Sequence, residues 1–319
     1  MDGLLTGDWC APDQTREQSE GQDESADVGG GCVAMVTVRW AVGFLGTGQM
    51  ATALASAWLR AGCLDSLGSR AWDIQASARE QFAQRVGVTI AGSNREVTTQ
   101  CQRLLLAVKP ADVATVLQEI RPVLRPEHLL ISVAAGVRLQ SLQEALEGHG
   151  RIVRVMPNTG CLVGCGASAI SAGPEVTPAE IDQVEALFRA VGYVCRVPET
   201  LLDAVTGLSG SGPAFVALVV EALADGGVLS GLPRELALEL AAHTVLGTAR
   251  LILEGGRHPA QIKDAVASPG GTTIAGLHIL EKAGLRGALQ HAVWRATCRA
   301  RELATGGKSL PEKSASTPR

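Results

Sequence analysis

A short glycine-rich segment at residues 43–51 places the strongest constraint on the fold of this chain. It follows an apolar run at 38–44 and opens the helical pattern Gln49–Arg60. A strand, a tight glycine turn and a helix in this order are typical of a pyrophosphate-binding turn. The spacing G-x-G-x-x-A begins at Gly46, which permits the bend, and Gly48 lets the backbone approach the phosphates. The segment predicts a dinucleotide site, with a structural turn that binds no ligand as the alternative.

Strand and helix patterns alternate along the chain as far as residue 156. The predicted strands are 38–44, 67–70, 86–90, 103–108, 128–133 and 151–156. Helical patterns occupy 72–85, a short stretch near Glu96, 111–120 and 139–146. Strands that alternate with helices of this length predict an α/β domain with a Rossmann-like, doubly wound parallel sheet. The run 67–70 is the weakest of these strands, because it is short and poor in β-branched residues.

The second half of the chain has only helical patterns. The predicted helices are 201–208, 212–227, 233–254, 259–267, 272–283 and 286–305. Their apolar faces are wide and rich in Ala and Gly, and residues 212–228 are apolar on nearly every side. Because a small helical domain cannot bury all these faces alone, the pattern predicts an all-α dimerisation domain. The predicted division is a disordered acidic extension (1–35), a dinucleotide-binding domain (36–198), a helical domain (199–305) and a frayed tail (306–319).

Charge and cysteine usage narrow the class of protein. Residues 1–35 carry eight acidic side chains and one basic one, against a net charge of −4 for all 319 residues. The rest of the chain is therefore only weakly basic, which argues against nucleic acid as a partner. No run of 18 uninterrupted apolar residues occurs, so no membrane span is expected. The eight cysteines show no C-x-x-C spacing and no His pair has metal spacing, which predicts free thiols, no metal and a cytoplasmic location.

The end of the second predicted strand bears on the choice of cofactor. Ser69 and Arg70 stand there, and a hydroxyl with a guanidinium fits a 2′-phosphate. This favours NADP over NAD, although the weak strand and the nearby Asp73 count against it. A solvated surface charge is the alternative for Arg70. Two further strand ends, 107–110 and 133–136, are expected at the same edge of the sheet. Lys109 could act as a general acid, as a positional charge near the nicotinamide ribose or as a plain helix-start lysine, and we favour the positional role.

Two glycine-rich segments of the helical half, 206–213 and 268–273, each precede a helix. Helix N-termini with small hydroxyl residues bind carboxylates well, so these segments predict a substrate pocket. The alternative is ordinary helix punctuation by Gly, Ser and Pro. Neither segment contains His, Asp or Lys. This argues against a reaction that needs a strong base from these segments.

Several of these segments resemble one family closely. Residues 42–51, 107–110, 154–159, 203–215 and above all 258–274 are similar to pyrroline-5-carboxylate reductases, and the resemblance extends over about residues 38–305. It implies NADPH- or NADH-dependent reduction of the C=N bond of 1-pyrroline-5-carboxylate to L-proline, with that small molecule as substrate. A protonated cyclic imine needs positioning and a hydrogen bond more than a strong acid.

The resemblance also implies roles for individual residues. Thr273 would hydrogen-bond the substrate nitrogen, while Ser268 and the backbone of Gly271, Thr272 and Thr273 would hold the carboxylate. Glu199 matches a position of the substrate pocket. The motifs and the resemblance together predict cofactor contacts from Leu45, Gly46, Thr47, Gly48, Gln49, Met50, Ser69, Arg70, Asn94, Ala107, Val108, Lys109, Pro110, Ala134 and Ala135. The helical domains of two subunits would interlock, each site would draw its two domains from different subunits, and the dimers could assemble into decamers.

The sequence leaves two other functions open. A 3-hydroxyacid dehydrogenase of similar architecture needs a Lys or His base after the nucleotide domain, and residues 201–215 offer none. A non-catalytic NADP-binding sensor would keep the glycine turn but would not need the segment 268–273.

Overall fold

The computed structural model describes residues 39–304, so the extension predicted for 1–35 and the tail predicted for 306–319 lie outside the described residues. The strands are β1 (Val42–Leu45), β2 (Arg70–Trp72), β3 (Thr89–Ile90), β4 (Arg103–Leu106), β5 (Leu129–Ser132), β6 (Arg151–Met156), β7 (Gly166–Ala172) and β8 (Gly192–Arg196). The helices are α1 (Gln49–Arg60), α2 (Ala76–Val86), α3 (Asn94–Gln100), α4 (Val113–Ile120), α5 (Leu139–Ala145), α6 (Pro178–Arg189), α7 (Leu202–Val205), α8 (Gly212–Leu229), α9 (Arg234–Leu253), α10 (Pro259–Val266), α11 (Thr272–Lys282) and α12 (Leu285–Ala304).

The eight strands form one sheet in the order β3-β2-β1-β4-β5-β6-β7-β8. All pairs from β3 to β6 are parallel, with helices on both faces, which confirms the predicted Rossmann-like doubly wound arrangement. Beyond β6 the sheet departs from the predicted parallel arrangement, because β7 runs antiparallel to β6 and β8 parallel to β7. No strand is predicted between residues 157 and 200. The loop from β6 to β7 is too short for a parallel crossover, which needs a dozen residues or more.

The core lies on both faces of this sheet. β1 is buried along its whole length, and aromatic rings fill the face covered by α1, α2 and α6. The ring centres of Phe44 and Phe82 are 5.0 Å apart, and those of Trp58 and Phe188 are 5.4 Å apart. Aliphatic side chains fill the opposite face under α3, α4 and α5. Because side chains pack on both faces, each strand is held at a fixed position along its axis. The carboxyl ends of the parallel strands therefore lie side by side, and this edge of the sheet carries the candidate site.

The second strand lies further along the chain than predicted. Residues 65–69 form a turn in which Gly68 N donates to Asp65 Oδ1 at 3.1 Å and Ser69 Oγ donates to Asp65 O at 2.6 Å. Short polar side chains that bond to nearby backbone in this way favour turns over strands. β2 therefore begins at Arg70, where the predicted strand 67–70 ends, and finishes at Trp72.

The helices after residue 199 leave most of their apolar surface exposed. Glu199–Leu229 and Arg234–Leu253 are long and apolar enough to cross a membrane by length and composition alone, yet only 6% and 11% of their apolar windows are buried. Leu218 is 65% exposed and Leu253 83% exposed. α10 and α11 contribute no buried residue. Exposed apolar surface on this scale indicates an interaction face.

Candidate active site

The glycine turn after β1 depends on Gly46. Its φ is +97°, a region that side chains rarely adopt. A Cβ at this position would lie 2.7 Å from Val108 Cγ1 and 3.0 Å from the carbonyl of Ala107, so the turn also packs closely against the end of the next strand. The positive φ and the lack of room for a side chain both explain why this bend needs glycine at position 46.

The next glycine faces open space. A Cβ at Gly48 would meet no atom within 4 Å, and Gly48 caps α1 without any side-chain hydrogen bond to the first helical N–H groups. The hydroxyl of Thr47 is buried and has no hydrogen-bond partner among residues 39–304. Free N–H groups at a helix start bind anions, and a buried hydroxyl needs a partner. These features fit the pyrophosphate of a dinucleotide, held by residues 46–50.

The neighbouring strands bring further predicted residues to the same edge. Ala107 N donates to Leu45 O at 2.9 Å, and Val133 N donates to Leu106 O at 3.1 Å, so the segments 107–110 and 133–136 follow β4 and β5 at the level of the turn. The predicted cofactor residues at this edge are Leu45, Gly46, Thr47, Gly48, Gln49, Met50, Ala107, Val108, Lys109, Pro110, Ala134 and Ala135. The ammonium of Lys109 is exposed and forms no ion pair within the described part of the chain, which suits a positional charge.

Asn94 opens α3 after β3 and also belongs to this edge. Its Nδ2 donates to Glu119 Oε2 at 2.8 Å and its backbone N–H donates to Glu119 Oε1 at 3.1 Å. Its Oδ1 is buried without a partner in the described residues. The side chain is thus held in place with one acceptor unused, as the prediction of a cofactor contact requires.

Ser69 and Arg70 do not lie at the cofactor edge, and their predicted role as cofactor contacts is wrong. Val42 N donates to Ser69 Oγ at 3.0 Å, which puts Ser69 beside the first residue of β1. Arg70 pairs with Gly43 and donates to Gln100 Oε1 at 2.6 Å. Three residues of strand, about 10 Å, separate that level from the turn. The basis for NADP in these two residues disappears with the shift of β2.

A carboxylate occupies the place that Ser69 and Arg70 were expected to fill. Asp73 follows the last residue of β2, and its Oδ2 accepts from Thr47 N at 2.8 Å. The sequence points to Asp73 only as a residue that counts against NADP, because the predicted strand 67–70 ends before it. The structure therefore adds Asp73 to the candidate functional residues.

Glu199 connects three elements near the same edge. Its Oε1 accepts from Leu139 N at 2.6 Å and from Arg154 Nη1 at 2.5 Å. The Arg154 side chain is 7% exposed and that of Glu199 28% exposed. Removing one partner of so buried an ion pair is costly, so Glu199 ties the start of the helical region to α5 and β6. The predicted substrate contact of Glu199 stays a prediction, and the structure adds a positioning role.

The segment before α11 forms a compact turn on the helical region. Gly271 N donates to Ser268 O at 3.1 Å, and a Cβ at Gly271 would overlap the Ser268 hydroxyl. Gly271 caps α11 with no side-chain hydrogen bond, so the first N–H groups of Thr272 and Thr273 stay available. A hydroxyl beside free N–H groups at a helix start suits a carboxylate, as predicted. Ser268 and Thr272 are exposed, and Thr273 is half-buried.

The other glycine-rich segment packs on the sheet domain. Residues Thr206–Gly210 form a π-helical turn, and a Cβ at Gly210 would lie 2.6 Å from Met156 Cε at the end of β6. Gly207 touches Thr297 so closely that a side chain there would overlap its hydroxyl. This segment acts as the joint between the sheet, α8 and α12.

The cysteine in the turn that follows β6 is not activated. Cys161 is fully buried, and desolvation raises the pKa of its thiol. A raised pKa keeps the thiol neutral, and a neutral thiol is a poor nucleophile. No group of three or more His, Cys, Asp or Glu suited to a metal occurs between residues 39 and 304.

The fold and the residues at this edge define a class of protein. A family model described as "NADP oxidoreductase coenzyme F420-dependent" matches residues 41–136, which contain the turn and the strands around it. A second, described as "Pyrroline-5-carboxylate reductase dimerisation", matches residues 199–303, which contain the exposed apolar helices. The chain is therefore an oxidoreductase with a Rossmann-like NAD(P)-binding domain and a helical domain for self-association.

Curated relatives narrow the class further. Pyrroline-5-carboxylate reductase of Pisum sativum is 46% identical over 264 residues, covering 83% of this chain and 96% of the relative. The enzyme of Methanosarcina acetivorans is 44% identical over 262 residues, covering 82% and 97%. Runs 276–281 and 296–300 resemble isoform 3 of the vertebrate enzymes, and isoform 3 of Macaca fascicularis is 46% identical over 266 residues, covering 82% and 95%.

Solved structures agree with these relatives. The pyrroline carboxylate reductase of Plasmodium falciparum with NADP bound is 32% identical with a TM-score of 0.77, covering 83% of this chain and 98% of that one. The enzyme of Coxiella burnetii is 34% identical with a TM-score of 0.76 and the same coverage. This chain belongs to the pyrroline-5-carboxylate reductase family.

Proposed function

We propose that this protein reduces the C=N bond of 1-pyrroline-5-carboxylate to give L-proline, with NADPH or NADH as the reductant. The main support is the combination of two binding sites in a chain of this family. Residues 46–48 form an open phosphate-binding turn, and residues 268–273 form a helix N-terminus suited to bind a carboxylate. The first suits the cofactor and the second suits a small substrate with one carboxylate.

Binding and orientation account for what the protein's own residues do. The hydroxyl of Ser268 and the N–H groups of Thr272 and Thr273 hold the substrate carboxylate. The hydroxyl of Thr273 hydrogen-bonds the ring nitrogen and fixes the C=N bond. When bound, the reduced nicotinamide supplies a hydride to the imine carbon. The imine nitrogen takes its proton from water before binding, so a strong acid or base in the pocket is unnecessary.

The helical region completes the site in a dimer. α10 and α11 bury no residue within one chain, so the loop 268–273 stands open to solvent. Hydride transfer to an imine profits from the exclusion of water. We therefore infer that the helical domain of one subunit covers the nucleotide domain of its partner. Further assembly into decamers, as the family resemblance implies, is a separate proposal that light scattering of the purified full chain tests.

Neither alternative function is favoured. The Pisum sativum relative and the Plasmodium falciparum structure are reductases of this family, and residues 201–215 provide no Lys or His base for a hydroxyacid dehydrogenase. A cofactor sensor has no need for the Ser268–Gly271 turn, in which the glycine makes room for the hydroxyl.

We also propose a cytoplasmic location. Free thiols occur at Cys63, Cys101, Cys161, Cys195 and Cys298, which suits a reducing compartment. Fractionation of cells that express the full chain tests this, and recovery in an organelle or membrane fraction would contradict it.

The loss of absorbance at 340 nm tests the function directly. Purified protein is given NADPH or NADH with 1-pyrroline-5-carboxylate, and with 1-pyrroline, which lacks the carboxylate, as the matched control substrate. We expect turnover with the first imine and little with the second, because only the first can use the carboxylate site. A folded protein that binds cofactor but turns over neither imine contradicts the proposal.

A further inference from the structure

The end of β2 places a carboxylate beside the phosphate turn. β2 pairs in parallel with β1, with Trp72 opposite Leu45, and Gly46 N donates to Trp72 O at 2.8 Å. Asp73 therefore follows β2 at the level at which Gly46 follows β1. In dinucleotide-binding folds an acid at this position accepts hydrogen bonds from the ribose hydroxyls of NAD, whereas an arginine accommodates the 2′-phosphate of NADP.

The carboxylate of Asp73 is fixed in place with acceptor capacity to spare. Its Oδ2 accepts from Thr47 N at 2.8 Å and its Oδ1 accepts from Gln75 N at 2.9 Å. An ionised carboxylate offers about four acceptor sites, so about two remain. Vicinal ribose hydroxyls provide two donors, and a carboxylate held by two backbone N–H groups is already oriented to receive them.

A 2′-phosphate does not suit the same place. It carries about two negative charges at neutral pH and only acceptor oxygens, as does Asp73. The bond to Thr47 ties the carboxylate to the turn itself, so the side chain cannot swing away without giving up that contact. A 2′-phosphate on this ribose would place its negative charge beside the Asp73 carboxylate, and like charges repel each other.

Arg79 is the cation nearest to this carboxylate on α2, and its contacts point to the backbone. Its Nη1 donates to Asp73 O at 2.6 Å and to Ile74 O at 3.2 Å. Its guanidinium lies 4.3 Å from the centre of the Trp72 ring. These contacts hold the turn that carries Asp73, so Arg79 is a positioning residue.

We propose that Asp73 makes this enzyme select NADH over NADPH. The inference deepens the proposed function, since it assigns the specificity of the cofactor site on which that function rests. The Plasmodium falciparum relative was solved with NADP bound. The preference for NADH is therefore inferred from Asp73 of this chain and is not transferred from that relative.

The test measures the dissociation constants of NADH and NADPH for the full chain without substrate, by nicotinamide fluorescence. We expect NADH to bind wild-type protein tighter by about tenfold or more, equivalent to about 1.4 kcal/mol. Asp73→Asn keeps an acceptor for Thr47 N and removes the charge. It should tighten NADPH binding about tenfold or more and weaken NADH binding about threefold or more, because the amide nitrogen cannot accept from a ribose hydroxyl. In turnover, the change should appear in the KM for NADPH and not in kcat.

Two controls make the result decisive. Asp65→Asn makes the same chemical change in a turn at the opposite edge of the sheet and should leave both constants unchanged. Arg79→Gln should weaken both cofactors alike, because it loosens the turn. Three outcomes would overturn the inference. The wild-type protein could bind NADPH more tightly than NADH, or Asp73→Asn could leave the ratio of the two dissociation constants unchanged. Arg79→Gln could also weaken the binding of NADPH alone. Because binding is measured without imine, failure of the reductase assay leaves this test intact.

Discussion

Substituting the two glycines of the phosphate turn one at a time should separate folding from cofactor binding. Gly46 has a φ of +97° and packs against Val108, whereas Gly48 has a φ of −69° and open space around its Cβ position. Gly46→Ala should therefore destabilise the fold. Gly48→Ala should leave the fold intact and hinder only the approach of the pyrophosphate to the backbone.

The magnitude for Gly46→Ala has two parts. A side chain at positive φ costs about 1–2 kcal/mol. The new methyl group would lie 2.7 Å from Val108 Cγ1, and overpacking of this kind costs about 1–3 kcal/mol. The free energy of unfolding should therefore fall by about 2–5 kcal/mol, which corresponds to a melting temperature lower by about 5–15 °C at this chain size. Gly48→Ala fits its backbone conformation and should raise stability by up to about 1 kcal/mol.

Thermal unfolding of the cofactor-free protein measures the first effect, and the dissociation constant of NADH measures the second. For Gly48→Ala we expect an unchanged or slightly higher melting temperature and NADH binding weaker by about tenfold or more. Wild-type affinity in Gly48→Ala would show that the pyrophosphate does not lie over Gly48. A melting temperature of Gly46→Ala equal to that of wild type would refute the steric reasoning.

Three further substitutions test the rest of the site. Glu199→Gln keeps an acceptor but leaves Arg154 without its counter-charge, so unfolding should become easier by about 1–3 kcal/mol in chemical denaturation, less than for a fully buried pair because Glu199 is partly exposed. Thr273→Ala should lower kcat by about tenfold to a hundredfold with unchanged NADH affinity, and Thr273→Ser should restore most of the loss; unchanged turnover would remove Thr273 from the mechanism. Leu218→Lys should reduce dimer formation in light scattering and activity with it, whereas Leu67→Lys, at an 84% exposed site outside the helical region, should change neither.

Local patterns predicted the elements whose signals lie within a few residues. The turn at residues 46–48 depends on glycine spacing, and the structure shows the conformation and close packing that require Gly46. The apolar periodicity of the second half predicted its helices. Their wide apolar faces also predicted exposed apolar surface, because one small domain cannot bury all of them. The loop 268–273 was predicted from its glycines and hydroxyls, which are the residues that a capped, open helix start needs.

Non-local pairing decided what these patterns could not. β7 is a strand of Ala, Ser, Gly and Ile without a clear period, and it becomes one because β6 and β8 supply hydrogen bonds on both sides. The level of β2 was misplaced for a related reason. The Asp65 turn consumes residues 65–69, and the register with β1 then starts at Arg70.

By itself the sequence determined the class of fold, the phosphate turn and the family, because each is encoded by residue types at short, fixed spacings. The tertiary structure alone decided which side chains meet at the cofactor edge. Moving the start of the predicted β2 from Leu67 to Arg70 takes Ser69 and Arg70 to the far edge of the sheet and brings Asp73 to the turn. The physical reason is that strand register is set by hydrogen bonds to a neighbouring strand and by packing on both faces of the sheet, and neither is visible in the local sequence.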